Sequence, residues 1–276
     1  MEADCPIGVF DSGYGGLTIL KNIARELPGY DYVYLGDNAR TPYGTRSYDV
    51  VYKYTRQAVE KLFEMGCRLV ILACNTASAK ALRTIQQVDL PRFGPDRRVL
   101  GVIRPSVEAL PGFTRNGHIG IMATRGTIVS RSYLLEIAKL YPGETFRVTQ
   151  EACPMWVPLV ENDEQDSAGA AFFVQQHVSR MLREDPGIDT VVLACTHYPL
   201  LRAQIDRCIP AGVTVVEQGE LVARSLRAYL QRHPEIERHL SRRGLVSYYT
   251  TESEEMFDRV GGRFMQLPVR SKRIEL

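Results

Sequence analysis

The chain has 276 residues, 45% hydrophobic and 24% charged, an ordinary globular composition with enough apolar side chains for one large core or two smaller ones. Its 34 basic and 32 acidic residues leave a formal charge of +2 spread along the whole length, which argues against a nucleic-acid or membrane surface; Arg238, His239, Arg242 and Arg243 form the one local cluster, a solvated face or a small binding patch. No apolar stretch is long enough to span a bilayer, residues 1–6 lack the pattern of a secretory signal, and six irregularly spaced cysteines without a CxxC pair read as reduced thiols, so the expected setting is the cytoplasm.

Along the chain, apolar runs at residues 7–10, 32–35, 69–73, 99–103, 119–122, 190–194, 213–216 and 246–249 read as strands with helical patterns between them. That alternation predicts βαβ units and mainly parallel sheets. The clearest helix covers 50–65, where Val51, Tyr54, Ala58, Leu62 and Met65 share a face and Gly66 supplies the stop. The two halves can be laid over one another: Ile7 on Ile119, Cys74 on Cys195 and Val99 on Val213, at offsets of 112, 121 and 114. Similar offsets at three landmarks predict a duplicated unit, with the extra residues of the second half around 153–165 forming a site-lining loop. The expected fold is α/β, two pseudo-symmetric domains with mainly parallel sheets facing a shared cleft. Residues 1–98 and 213–276 make the first domain, with Cys74, and residues 99–212 the second, with Cys195.

The chemistry concentrates at two near-copies of one segment, Val70-Ile-Leu-Ala-Cys74-Asn75-Thr76 and Val191-Val-Leu-Ala-Cys195-Thr196-His197. An apolar run that stops at a thiol reads as a buried strand delivering that thiol to the end of a sheet, where open parallel sheets bind ligands. One such cysteine alone reads as inert core; the repetition points to two groups facing one site. Helical starts follow both thiols, so each is expected to have its pKa lowered from about 8.5 by a helix N-terminus whose free N–H groups also suit a carboxylate. Asn75, Thr76 and Thr196 add donors, and His197 is either a partner for Cys195 or a structural histidine.

Two further strand ends lead to the same crevice, Ile7-Gly-Val-Phe-Asp11-Ser12-Gly-Tyr-Gly-Gly-Leu17 and Met122-Ala-Thr124-Arg-Gly-Thr127. The glycine turn has neither the GxGxxG nor the P-loop spacing, so a tight turn beside a small ligand explains it better than a nucleotide. Cys195 and His197 supply only two potential metal ligands, and no recognisable spacing supplies the rest, so no metal is expected. No lysine is placed for a Schiff base; Lys80, the nearest, is expected to face solvent. Cys5, Cys67, Cys153 and Cys208 read as structural or incidental.

Taken together, Gly8-Val-Phe-Asp-Ser-Gly-Tyr-Gly-Gly-Leu17, Pro42-Tyr43-Gly44, Ala73-Cys-Asn-Thr-Ala77, Thr124-x-x-Thr127, Val157-Pro-Leu-Val-Glu161 and Ala194-Cys-Thr-His-Tyr-Pro199 closely resemble the glutamate racemases, a cofactor-independent family. The resemblance implies no cofactor, a homodimer, glutamate as a small-molecule substrate and a product used for peptidoglycan. It implies two-base catalysis in which Cys74 deprotonates D-glutamate and Cys195 L-glutamate, with Asp11, Glu161 and His197 assisting. By the same resemblance Ser12, Pro42, Tyr43, Gly44, Asn75, Thr76, Thr124, Thr127 and Thr196, with Asp11 and His197, contact substrate. Arg104 departs from the family pattern, as a salt-bridge change at the domain junction or an altered contact near the site. The rival readings are an aspartate racemase of the same wider group, a catalytically silent amino-acid-binding protein, and a cysteine hydrolase using Cys195 and His197, which leaves Cys74 unexplained.

Overall fold

The computed structural model of the chain describes residues 5–143 and 145–276; residues 1–4, read above for a leader, lie outside them. Ten strands are assigned among the described residues: β1 (Ile7–Asp11), β2 (Tyr32–Gly36), β3 (Leu69–Leu72), β4 (Arg98–Gly101), β5 (His118–Ala123), β6 (Arg147–Ala152), β7 (Thr190–Ala194), β8 (Thr214–Val216), β9 (Val246–Thr250) and β10 (Ser271–Arg273). They form a six-stranded sheet in the order β10-β9-β2-β1-β3-β4 and a four-stranded sheet in the order β6-β5-β7-β8. Every pairing is parallel.

The duplicated unit is visible in this order. β1 to β4 are arranged 2-1-3-4, and β5 to β8 repeat the arrangement, so β1 matches β5 and β3 matches β7. In each unit the chain leaves the first strand to one side and returns on the other, which opens a crevice at the carboxyl ends of that strand and the third. Asp11 ends β1 beside Leu72 and the Cys74 segment, while Ala123 ends β5 opposite Ala194, one residue before Cys195.

The inner strands are continuous apolar runs because helices cover both faces of the sheets: β1, β3 and β7 are buried along their whole length. One covering helix, Leu17–Glu26, buries Leu17, Ile19, Leu20 and Ile23, and it packs against Gly219–Arg232, which buries Val222, Ala223, Leu226 and Leu230. Each fully buried aliphatic side chain there is worth about 1.5–3 kcal/mol over leaving it in water. The helix expected at 50–65 runs Tyr48–Glu64, capped by Ser47, whose Oγ accepts the Val50 N–H at 3.4 Å, and Gly66 follows with φ +90°.

Two strands join a different sheet from the one expected. Residues 98–101 hydrogen-bond to β3 in register Leu69↔Arg98, so β4 belongs to the Cys74 sheet. Likewise Thr214–Val216 pairs with β7, so the stretch from 213 closes the Cys195 sheet instead of completing the other one. Both sheets end on the same fourth strand of the repeated unit. The chain therefore passes between the sheets after Gly101 and again after Val216.

Candidate active site

Cys74 and Cys195 line one cavity of about 100 Å³ between the two sheets' carboxyl ends. The strand β3 stops at Leu72 and Cys74 becomes the N-cap of the helix Asn75–Lys80, its sulfur accepting the Ala77 N–H at 3.4 Å. On the other wall, β7 stops at Ala194 and the chain passes through Cys195, Thr196 and His197 into the single turn Tyr198–Leu201. Both thiols are buried, each 6% exposed.

Their neighbours differ. Ser12 Oγ lies 3.4 Å from the Cys74 sulfur, and Asp11 is buried behind them, its Oδ2 accepting the Gly13 N–H at 2.9 Å while Oδ1 has no hydrogen-bond partner. Burial pushes the Cys74 thiol up to about 12, the Asp11 charge adds to this, and the hydrogen bonds from Ser12 and Ala77 offset only part. The expected lowering by the helix N-terminus is thus overturned, because desolvation of a thiolate outweighs one weak N–H···S contact. Asp11 itself is raised, also by burial, against the opposing pull of His197.

Beside Cys195 stands an imidazole whose neighbours favour its protonated form. His197 Nδ1 lies 3.9 Å from the Cys195 sulfur and its Nε2 lies 3.0 Å from Glu161 Oε1. Burial alone would favour the neutral ring; hydrogen bonds to Cys195 and Glu161 outweigh it and hold the imidazole up at about 10.

The walls meet through small groups. Thr76 Oγ1 lies 2.9 Å from Thr124 Oγ1 and 3.4 Å from Thr127 Oγ1, joining the helix after Cys74 to the helix Arg125–Ser130, which Thr124 caps through the Thr127 N–H. Thr18 Oγ1 donates to the Thr196 carbonyl at 3.1 Å across the same junction. Gly44 is packed on Thr124: a Cβ there would fall 3.0 Å from the Thr124 Cβ. The loop holding Pro42, Tyr43 and Gly44 is fixed by the Tyr43 hydroxyl donating to Asp37 and by Lys80 Nζ donating to the Arg46 carbonyl at 2.5 Å.

Of the site residues read from sequence, Ser12, Pro42, Tyr43, Gly44, Cys74, Asn75, Thr76, Thr124, Cys195, Thr196 and His197 line the cavity. Asp11, Thr127 and Glu161 stand one side chain back, behind Cys74, Thr124 and His197 respectively. The stretch around 153–165 supplies Cys153, Pro154, Val157 and Pro158 to the wall, but it is not the loop expected: Val157 and Pro158 lie on the helix Trp156–Glu161. Cys153 is therefore part of the site, although burial pushes its thiol well up and keeps it neutral. Lys80 faces inward, not solvent, and desolvation lowers it. Arg104 lies outside the cavity: it pairs with Glu108 at 2.8 Å and Glu136 at 3.5 Å on the surface, worth about 0–1 kcal/mol.

Among the described residues no group of three or more His, Cys, Asp or Glu is arranged to hold a metal ion, and no helix is long and apolar enough to cross a membrane.

A family model described as Asp/Glu/Hydantoin racemase matches residues 7–226. A glutamate racemase of Paracoccus denitrificans is 40% identical over 274 residues, covering 96% of this chain and 98% of its own. Among solved structures, a glutamate racemase isoform of Bacillus anthracis superposes with a TM-score of 0.89 at 34% identity over 100% of this chain and 99% of that one. The Francisella tularensis glutamate racemase, solved in complex with D-glutamate, does so at 0.86 and 29% identity over 99% and 98%. With a duplicated parallel fold, two thiols in one cavity and relatives matched end to end, the chain belongs to the Asp/Glu/Hydantoin racemase family, alongside its glutamate racemases, and is an amino-acid racemase.

Proposed function

We propose that the chain interconverts L- and D-glutamate without a cofactor, one cysteine working on each face of the α-carbon. The observation that carries this is the pair of thiols on opposite walls of a single cavity, with unlike neighbours. In the L-to-D direction the Cys195 thiolate, beside the His197 imidazolium, takes the α-proton; the C–H electron pair moves onto the α-carbon and its carboxylate. The Cys74 thiol, held neutral by burial, then delivers its proton from the other face. The reverse direction exchanges the two roles.

An α-proton next to a carboxylate is weakly acidic, so the developing charge needs donors already in place. Asn75, Thr76, Thr124 and Thr196 line the cavity beside the thiols and fit that need. Glu161 acts through His197 by keeping the ring protonated and oriented. Asp11 faces the Cys74 wall and opposes a lasting thiolate there.

On the same reading, residues up to 101 and from 217 onward form one domain and residues 102–216 the other. A role in supplying D-glutamate for peptidoglycan, a homodimer and a cytoplasmic setting are carried by the resemblance to glutamate racemases.

Purified protein incubated with L-glutamate in deuterated water, with no added pyridoxal phosphate, is expected to yield D-glutamate deuterated at the α-carbon. Absence of exchange from either enantiomer would overturn the reading.

A further inference from the structure

Gln218 occupies an unusual position. It follows β8 at the second passage of the chain between the sheets, and it is 2% exposed at the start of the helix Gly219–Arg232. Its side-chain amide reaches both domains. Nε2 donates to Ser106 Oγ at 2.7 Å and to the Tyr133 hydroxyl at 2.9 Å, with the Val102 carbonyl and Asn75 Oδ1 farther off at 3.3 Å each. Oε1 accepts from Asn75 Nδ2 at 2.6 Å. Val102 is itself the residue after β4, so one side chain joins the two passages.

The hydrogens in this network can be assigned by counting donors. The Ser106 hydroxyl donates onward to the Val102 carbonyl at 2.8 Å, and the Tyr133 hydroxyl donates to Asn75 Oδ1 at 2.8 Å. Each hydroxyl therefore accepts from Gln218, which uses both amide hydrogens, and Asn75 gives one N–H back to Gln218 Oε1. Asn75, Gln218 and Tyr133 form a closed ring in which every donor meets an acceptor. A flipped Asn75 amide would set its NH2 against the Tyr133 donor and its oxygen against Gln218 Oε1. The ring admits one orientation and leaves the second N–H of Asn75 Nδ2 without an acceptor among the described residues.

Asn75 directly follows Cys74 and lines the cavity. We propose that Gln218, relayed through Tyr133, is a positioning residue that locks the Asn75 amide so that its spare N–H serves as a donor to the substrate carboxylate beside Cys74. This rests on the two-thiol reading above. The role belongs to the reaction and not to the stability of the fold: the carboxylate gains charge as the α-proton leaves, so a misoriented donor costs most at the transition state.

The test is a double-mutant cycle. Gln218→Met keeps the length and removes the two ring hydrogen bonds that Gln218 makes, leaving only that from Tyr133 to Asn75; it is expected to lower kcat about tenfold in both directions, one hydrogen bond's worth, while KM for glutamate changes less than threefold. Asn75→Ala is expected to lower kcat similarly. Adding Gln218→Met to Asn75→Ala should then lower kcat by no more than a further twofold, because the residue through which Gln218 acts is gone. Multiplying losses in the double variant, or a loss confined to KM, would overturn the proposal. Should Gln218→Met not fold by circular dichroism, Tyr133→Phe takes its place in the cycle with the same expectation and the same overturning result. Wild-type protein that fails to exchange the α-proton would instead sink the two-thiol reading, and the positioning role with it.

Discussion

Gly15 and His197 approach each other so closely that no side chain fits between them. A Cβ on Gly15 would fall 2.4 Å from His197 Nδ1 and 2.2 Å from Thr196 Oγ1, although the glycine belongs to the turn after β1 and the others to the end of β7. The glycine-rich turn is therefore built for the neighbouring domain's wall. Gly15→Ala must displace His197 from the Cys195 sulfur, and displacements of about 1 Å at a reacting group cost on the order of a hundredfold in rate. Racemase assays are expected to show that loss in kcat, with a folded circular-dichroism spectrum.

Asp11→Asn separates function from stability. Burial raises the carboxyl above its unfolded value, so the charged form weakens the fold: the stability this group contributes is full below the unfolded value of 3.8 and is lost as pH rises through the folded one. At pH 7 the variant should be no less stable than the wild type, because the neutral amide avoids the desolvation cost of a buried charge. Urea denaturation at pH 7 measures it. A less stable variant would contradict the assignment, and activity is expected to fall.

His197 predicts the opposite end of the pH scale. Its folded pKa of about 10 lies above the ordinary 6.5, so the stability it contributes is fully present below pH 6.5 and is lost as pH rises through about 10. Comparing urea midpoints at pH 6.5, 8 and 10, wild-type protein should weaken more steeply than His197→Asn. Parallel curves would show that the ring is not held as an imidazolium.

The two walls should also be distinguishable kinetically. Cys195→Ser is expected to impair proton abstraction from L-glutamate and Cys74→Ser that from D-glutamate, so primary isotope effects with α-deuterated substrate should rise in one direction for each variant. Equal effects in both directions for both variants would argue against one base per face.

The parts of the fold legible in the sequence were those buried on both sides. β3 and β7 read plainly because a central parallel strand must be apolar throughout, and their thiols marked the strand ends. The alternating Arg147–Ala152 and the short Ser271–Arg273 escaped, since edge strands keep half their surface polar. Offsets between the halves located β4 and β8 correctly as counterparts, yet a run of apolar residues does not say which sheet it joins. Cys74, Cys195, Thr76, Thr124 and Thr196, read as candidates from their place after strands, all line the one cavity. Lys80 and Gln218 gave no such signal: a lone polar residue looks solvent-facing until tertiary contacts bury it.

The two passages of the chain between the sheets, at Val102 and at Gln218, restrict how the enzyme can open. Two bodies joined at one point can swivel freely, but joined at two they keep one easy motion, rotation about the line through both points. An opening about that line would part the walls like the covers of a book. On the two-thiol proposal, such a motion would carry the two sulfurs apart on opening and return each to its own side on closing, so the covalent path of the backbone would itself guard the handedness of the reaction.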